Sequence, residues 1–322
     1  MGTHKSNPLI HAIFGIIICL YFIQKLFTVY SQLIKKIAEI EALPSSYVSD
    51  ALEYFLPLTK FIAKKITRAE TPLVLGISGA QGTGKTTLSY LLSQLLIKQQ
   101  FKIARFSLDD FYLTRNERSL LASEQHHLLC TRGVPGTHDT SMLLAKLTGL
   151  LNQTENQKIE IPKFDKANDE RAPKSDWSTV KGSVDAILIE GWFVGATPFD
   201  AKSLRKPINE LEKTEDITRE WRKFINKQLS GNYQKIFSQI NFLIFLEAPS
   251  FSQIYGWRKL QEEKLRKRSP TAHGLMDDDQ LFRFIQHYER LTQHCLSILP
   301  ELADVKFLLD SDHRIAKCSG LS

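Results

Sequence analysis

Four cysteines in 322 residues (Cys19, Cys130, Cys295 and Cys318) are too few and too scattered for a disulfide framework. None has Cys-x-x-Cys spacing or a histidine partner at zinc spacing, so the thiols read as small buried apolar groups in a reducing, cytoplasmic setting. No apolar run reaches the ~18–20 residues that a membrane-spanning helix wants. The longest, Leu9 to Ile23, stops at fifteen and contains His11. Internal repeats and low-complexity tracts are absent, which excludes solenoids and disordered linkers. There is no arginine-rich arm and no aromatic–basic repeat, so the net charge of +7 and pI near 9.1 point to anionic ligands rather than to nucleic acid.

What is present is ordinary for a globular chain, with 43% apolar and 24% charged residues. The length suits one large α/β domain. Residues 1–42 read as a hydrophobic and amphipathic helical extension, and residues 43–322 as the main domain. Three readings stand for residues 9–23: a membrane anchor, an interfacial helix, or a helix docked on the domain or a partner. Leu33, Ile34, Ile37 and Ile40 predict an amphipathic helix, and a second helix over residues 47–66 should be kinked or split by Pro57.

The strongest local signal is Leu73-Val-Leu-Gly-Ile-Ser-Gly79-Ala-Gln-Gly-Thr-Gly84-Lys85-Thr86-Thr87-Leu88. An apolar strand runs into a glycine-rich turn and then into a leucine-rich helix, and Gly79-x-x-x-x-Gly84-Lys85-Thr86 satisfies the P-loop pattern. Phosphate binding dictates these residue types. Converging backbone N–H groups must approach phosphate oxygens closely, and a Cβ would block them. Gly79, Ala80, Gln81, Gly82, Thr83, Gly84, Lys85, Thr86 and Thr87 are the expected cradle for ATP. Lys85 is placed to reach the terminal phosphates, and the Thr86 hydroxyl to serve Mg²⁺.

Further apolar runs at 102–107, 184–189, 241–246 and 305–309 alternate with helical patterns. The expected fold is α/β, a doubly wound, mainly parallel P-loop sheet of about five strands with helical N-terminal and lid insertions. Residues 113–139 read as a polar, irregular insertion. Glu190 ends a buried strand, the position of a carboxylate that serves Mg²⁺. Asp109 and Asp110 end another, where a carboxylate can take a proton from an acceptor hydroxyl. From position alone Asp109 and Glu190 could exchange these roles. Arg132, Lys163 and Arg171 lie in loops where an anionic acceptor would dock, and Arg258 opens a basic run (Lys259, Lys264, Arg266, Lys267, Arg268) suited to a lid over the phosphates.

Five segments then fall in order: the P-loop, Ser107-Leu-Asp-Asp-Phe-Tyr112, Arg132-Gly-Val-Pro-Gly-Thr-His-Asp139, Pro162-Lys-Phe-Asp-Lys-Ala167 and Glu190-Gly-Trp-Phe-Val-Gly195. Tyr255-Gly-Trp-Arg-Lys-Leu-Gln-Glu-Glu263 follows. Together they resemble the plant-type D-glycerate 3-kinase family and its bacterial and fungal P-loop relatives, akin to phosphoribulokinase, uridine kinase and pantothenate kinase. The resemblance implies transfer of the ATP γ-phosphate, with Mg²⁺, to a hydroxyl of a small molecule. It implies Asp109 as the base, Arg258 near the phosphates, and Asp110, Tyr112, Arg132, His138, Asp139, Lys163, Asp165 and Arg171 around the acceptor. Another small acceptor (a nucleoside, pantothenate or another sugar acid) and a non-catalytic nucleotide-binding regulator are the rival readings.

Overall fold

The computed structural model describes residues 27–268 and 276–321, with the side chains at 261, 262 and 264–268 left aside. The apolar segment 9–23 and the side chains of Lys264, Arg266, Lys267 and Arg268 therefore lie outside the described residues. Among the described residues no helix is long and apolar enough to cross a membrane.

The chain begins with α1 (residues 27–40) and α2 (Ser45–Asp50). A π-helical turn, Ala51–Phe55, leads into α3 (Leu56–Arg68), which has Pro57 in its first turn. The wide turn falls where proline offers no N–H, so the helix is modulated rather than broken. β1 (Leu73–Gly79) and α4 (Lys85–Ile97) flank the glycine turn. β2 (Ile103–Ser107) follows, then a 3₁₀ turn, Leu108–Phe111.

The stretch 113–139 is irregular only in part, over residues 131–139. It holds α5 (Arg115–Glu124), opened by a capping box in which Thr114 accepts from the Glu117 amide and the Glu117 carboxylate accepts from the Thr114 amide. Next come α6 (Thr140–Leu151) and four short strands: β3 (Lys158–Ile161), β4 (Phe164–Asp165), β5 (Glu170–Arg171) and β6 (Ser178–Lys181). β7 (Ala186–Gly191) returns to the main sheet. The helices α7 (Glu210–Glu215), α8 (Glu220–Gln228) and α9 (Gln234–Phe237) precede β8 (Phe242–Glu247). α10 (Phe251–Arg268), α11 (Asp278–Leu302), β9 (Val305–Leu309) and β10 (Ile315–Ser319) complete the fold.

The main sheet has six strands in the order β10-β9-β8-β1-β7-β2. All pairs are parallel except the edge pair β10–β9. The sixth strand, β10, was not among the five expected: an edge strand exposed at Ala316 and Lys317 lacks the continuous apolar run that marks the inner ones.

Both faces of the sheet are covered, and the strand alternation assigns each side chain to a face. Leu75, Ile77, Leu188, Ile244 and Phe307 pack with α3 and α4 on one side. Val74, Ile187, Ile189 and Phe245 pack with α6, α9 and α11 on the other. Tyr30, Ile34 and Ile37 of α1 are buried in the first of these cores, whereas Ile40 is exposed. Asp50 ties α2 to the β9–β10 hairpin through a two-pronged pair with Arg314, at 2.7 and 2.8 Å.

Candidate active site

Parallel register brings the chemistry to one end of the sheet. Glu190 lies opposite Ile77 of β1 and opposite Ser107 of β2. The glycine turn, the Asp109–Asp110 turn and the Glu190 carboxylate therefore leave the carboxyl ends of three adjacent strands, where open α/β sheets bind ligands.

The turn itself is shaped by close approach. A Cβ on Gly79 would sit 2.6 Å from Thr83 Oγ1 and 3.1 Å from the Leu246 carbonyl. Gly84, at φ +84°, is the N-cap of α4, caps nothing with a side chain, and has open space where a Cβ would stand. The first N–H groups of α4 are thus presented outward at the positive end of the helix dipole, an anion site. Thr86 Oγ1 donates to Glu190 Oε1 at 2.9 Å. Glu190 is 2% exposed, and its Oε2 is buried with no hydrogen-bond partner. A buried, half-satisfied carboxylate beside a hydroxyl fits a hard cation that also takes phosphate oxygens, so Thr86 and Glu190 suit Mg²⁺.

Asp109 is the second centre. Its Oδ1 accepts from Tyr112 Oη at 2.8 Å and its Oδ2 from Lys166 Nζ at 2.6 Å. Burial pushes its pKa up, but the charges of Lys166 and Lys85 and these two hydrogen bonds outweigh it and bring the group down to about 2. Asp110 does different work. Its Oδ2 accepts from the Ser107 amide while Ser107 Oγ accepts from the Asp109 amide, a capping box that fixes the turn carrying Asp109. Burial, with the Asp109 and Glu190 charges nearby, raises Asp110 to about 6.

The remaining expected residues divide. The ring of His138 packs on Tyr112 at 4.5 Å; its Nδ1 meets Tyr233 Oη at 2.7 Å, and its Nε2 is buried without a partner. Burial holds His138 neutral, at about 3. Asp139 caps α6 through the Met142 amide, and its other oxygen lies 3.8 Å from Arg171, which donates to the Tyr112 carbonyl. Arg132 pairs with Asp169 and donates to the Lys166 carbonyl. Arg258 lies over the Phe284 ring at 5.9 Å, between α10 and α11.

Lys163 and Asp165 make no hydrogen bond or ion pair with Asp109 among the described residues. Lys163 is exposed and makes no side-chain hydrogen bond or ion pair among the described residues. Asp165 accepts from Ala167 and Asn168 within its own turn. The lysine that reaches Asp109 is Lys166, at the tip of the β4–β5 turn.

Sequence reasoning also missed the clasp behind that turn. Asp169, at φ +53°, pairs with Arg132 and with Arg118, whose side chain is 1% exposed and lies 2.5 Å away. The Thr114–Glu117 capping box was the available signal for α5, which carries Arg118. The Arg132–Asp139 segment is likewise held from outside. Tyr288 Oη donates to the Arg132 carbonyl and Trp192 Nε1 to the Gly133 carbonyl, which explains the tryptophan that follows Glu190. A cleft of about 720 Å³ between α5 and α8, lined by Leu121, Gly136 and Phe224, backs onto this segment but includes neither the P-loop nor Asp109.

Comparison with known proteins supports a P-loop kinase fold. The KAP family P-loop domain profile matches residues 55–167. A Schizosaccharomyces pombe protein, the uncharacterized kinase mug58, is 32% identical over 265 residues, 75% of this chain and 92% of its own length. The chloroplastic D-glycerate 3-kinase of Arabidopsis thaliana is 31% identical over 224 residues, 67% of this chain but 46% of that protein. The solved structure of D-glycerate 3-kinase from Cryptococcus neoformans superposes with a TM-score of 0.66 at 26% identity, covering 81% of this chain and 97% of that one. With its P-loop, its parallel sheet and a fungal kinase relative matched along 92% of that relative's length, the chain belongs to the same family of P-loop small-molecule kinases as mug58, and it is similar to D-glycerate 3-kinases.

Proposed function

We propose that the protein is a glycerate 3-kinase-like enzyme that passes the γ-phosphate of ATP to a hydroxyl of a small anionic acceptor, a sugar acid such as D-glycerate. The observation that carries the reading is Asp109. It is an ionised carboxylate bonded to Lys166 and acted on by the charge of Lys85, one strand-end away from the Thr86–Glu190 pair. A nucleotide-binding regulator has no need of such a second centre.

In this reading the P-loop amides and Lys85 hold the terminal phosphates and neutralise charge on the transferring group. Asp109 accepts the hydroxyl proton as the acceptor oxygen bonds to the γ-phosphorus. The bond from that phosphorus to the bridging oxygen breaks, and ADP leaves with the electron pair. Thr86 and Glu190 would hold Mg²⁺, which supplies charge neutralisation at the phosphates. Tyr112 orients Asp109, and His138 contributes a neutral ring beside them. Arg258, on the α10 side, is the cation proposed to close over the phosphates. The anionic class of acceptor rests on the cations grouped around Asp109 and on the glycerate kinases among the relatives.

The test is ADP release from ATP with a panel of D-glycerate, D-gluconate, pantothenate, uridine and glycerol. Stimulation by D-glycerate above the others supports the reading. Stimulation only by uridine or pantothenate moves the enzyme to another acceptor, and ATP binding without stimulation by any compound favours the regulator.

A further inference from the structure

Around Asp109 the arginines are already committed to protein anions. Arg118 and Arg132 hold Asp169, and Arg171 donates to the Tyr112 carbonyl beside Asp139. Lys166 is different. Its side chain is 61% exposed and its single hydrogen-bonding side-chain partner among the described residues is Asp109, 17% exposed. The turn that presents Lys166 is anchored, because Asp169 sits three residues on and is clasped by the buried Arg118. Asp109 therefore has both oxygens engaged, one by a buried tyrosine and one by a solvent-facing ammonium on a flexible stem.

We propose that Lys166 determines acceptor specificity: in the ligand-free protein its ammonium covers the Asp109 oxygen that the acceptor hydroxyl takes, and with acceptor bound it pairs with the acceptor's own carboxylate. The proposal rests on the kinase reading above. Its physical basis is a difference of affinities. Uncovering Asp109 costs one charge-assisted hydrogen bond. A carboxylate on the acceptor replaces that bond, whereas glycerol or water offers only a neutral oxygen. Lys166 thus favours anionic acceptors and suppresses transfer to water, and Asp109 is left available only when the correct ligand is present. The long stem lets the ammonium move from one oxygen to another without displacing the turn.

The experiment compares wild type, Lys166→Met and Lys166→Arg, with D-glycerate and glycerol as acceptors and with none. Lys166→Met is expected to lower the preference for D-glycerate over glycerol, read as the ratio of their kcat/KM values, by about 10- to 100-fold, the worth of a hydrogen bond to a charged group. The KM for ATP stays unchanged, acceptor-free ATP hydrolysis rises severalfold, and Lys166→Arg recovers part of the preference for D-glycerate. An unchanged D-glycerate-to-glycerol preference in Lys166→Met, with turnover intact, overturns the role of Lys166 and leaves the kinase reading standing. Preference of the wild type for glycerol overturns the anionic pairing. Failure of the wild type to phosphorylate either compound overturns the proposal together with the glycerate reading on which it rests.

Discussion

Thr86 Oγ1 donates to Glu190 Oε1 at 2.9 Å across 104 residues of sequence, while Glu190 Oε2 is buried without a partner. A carboxylate so placed is costly unless a cation completes it. Glu190→Gln keeps the shape and removes the charge. The expected result is a rise of about 10- to 100-fold in the Mg²⁺ concentration needed for half-maximal activity. A Mg²⁺ titration at fixed ATP measures it, and an unshifted midpoint would remove Glu190 from the metal site.

Lys85 opens α4 at the end of the glycine turn, and its charge helps to lower Asp109. Lys85→Met should lower kcat by about 10²- to 10³-fold, the usual loss when one transition-state donor is removed. Equilibrium binding of a fluorescent ATP analogue, measured alongside, should weaken far less than turnover falls. Equal losses in both would make Lys85 a ground-state binding residue only.

The pH dependence follows from Asp109. Its folded pKa, about 2, lies below the ordinary carboxylate value of ~3.9. A depressed pKa contributes stability that is present above the unfolded value and is lost as pH falls through the folded one, so this contribution should disappear between about pH 4 and 2. The same shift keeps Asp109 ionised, as the proposed base must be, throughout the neutral and mildly acid range. Lys166→Met takes away the larger of the two lysine charges that lower Asp109 but leaves the burial that raises it. The acid limb of its kcat/KM profile should move upward, toward or above the ordinary value, and a profile superimposable on wild type would contradict the assignment.

Asp169 is the counter-charge of Arg118, whose side chain is 1% exposed. Asp169→Asn leaves that guanidinium buried opposite a neutral group. Breaking a buried pair this way should destabilise the fold by about 3 kcal/mol, measured by urea denaturation. Acceptor KM should rise as well, since the turn that carries Lys166 loses its clasp, whereas the ATP KM should not. A loss below about 0.5 kcal/mol, the range of ordinary surface substitutions, would show the clasp to be incidental.

The inner strands were legible because they are buried on both faces. Leu73–Ile77, Ala186–Ile189 and Phe242–Leu246 carry nearly unbroken apolar runs, and the glycine turn follows directly from one of them. β10 was hidden because an edge strand needs no such run. Helix α5 was hidden by its charged composition: one face meets solvent, and its buried face includes Arg118 rather than a leucine stripe. Asp109 and Glu190 were legible because their place at strand ends follows from chain order, and Thr86 because the P-loop pattern puts it at the start of the helix. Lys166 against Lys163 was not, because a two-residue β4, the turn and a two-residue β5 decide which lysine faces Asp109. Sequence spacing carries no record of a turn held by an arginine on another helix.

The central claim is that Asp109 activates the acceptor while the P-loop holds ATP. Its most direct test is single-turnover transfer from γ-labelled ATP to D-glycerate by wild type and by Asp109→Asn. Labelled phosphoglycerate from the wild type, its loss by at least about 10²-fold in Asp109→Asn, and undiminished ATP binding by the variant are the predicted result. Transfer by Asp109→Asn at the wild-type rate would contradict it.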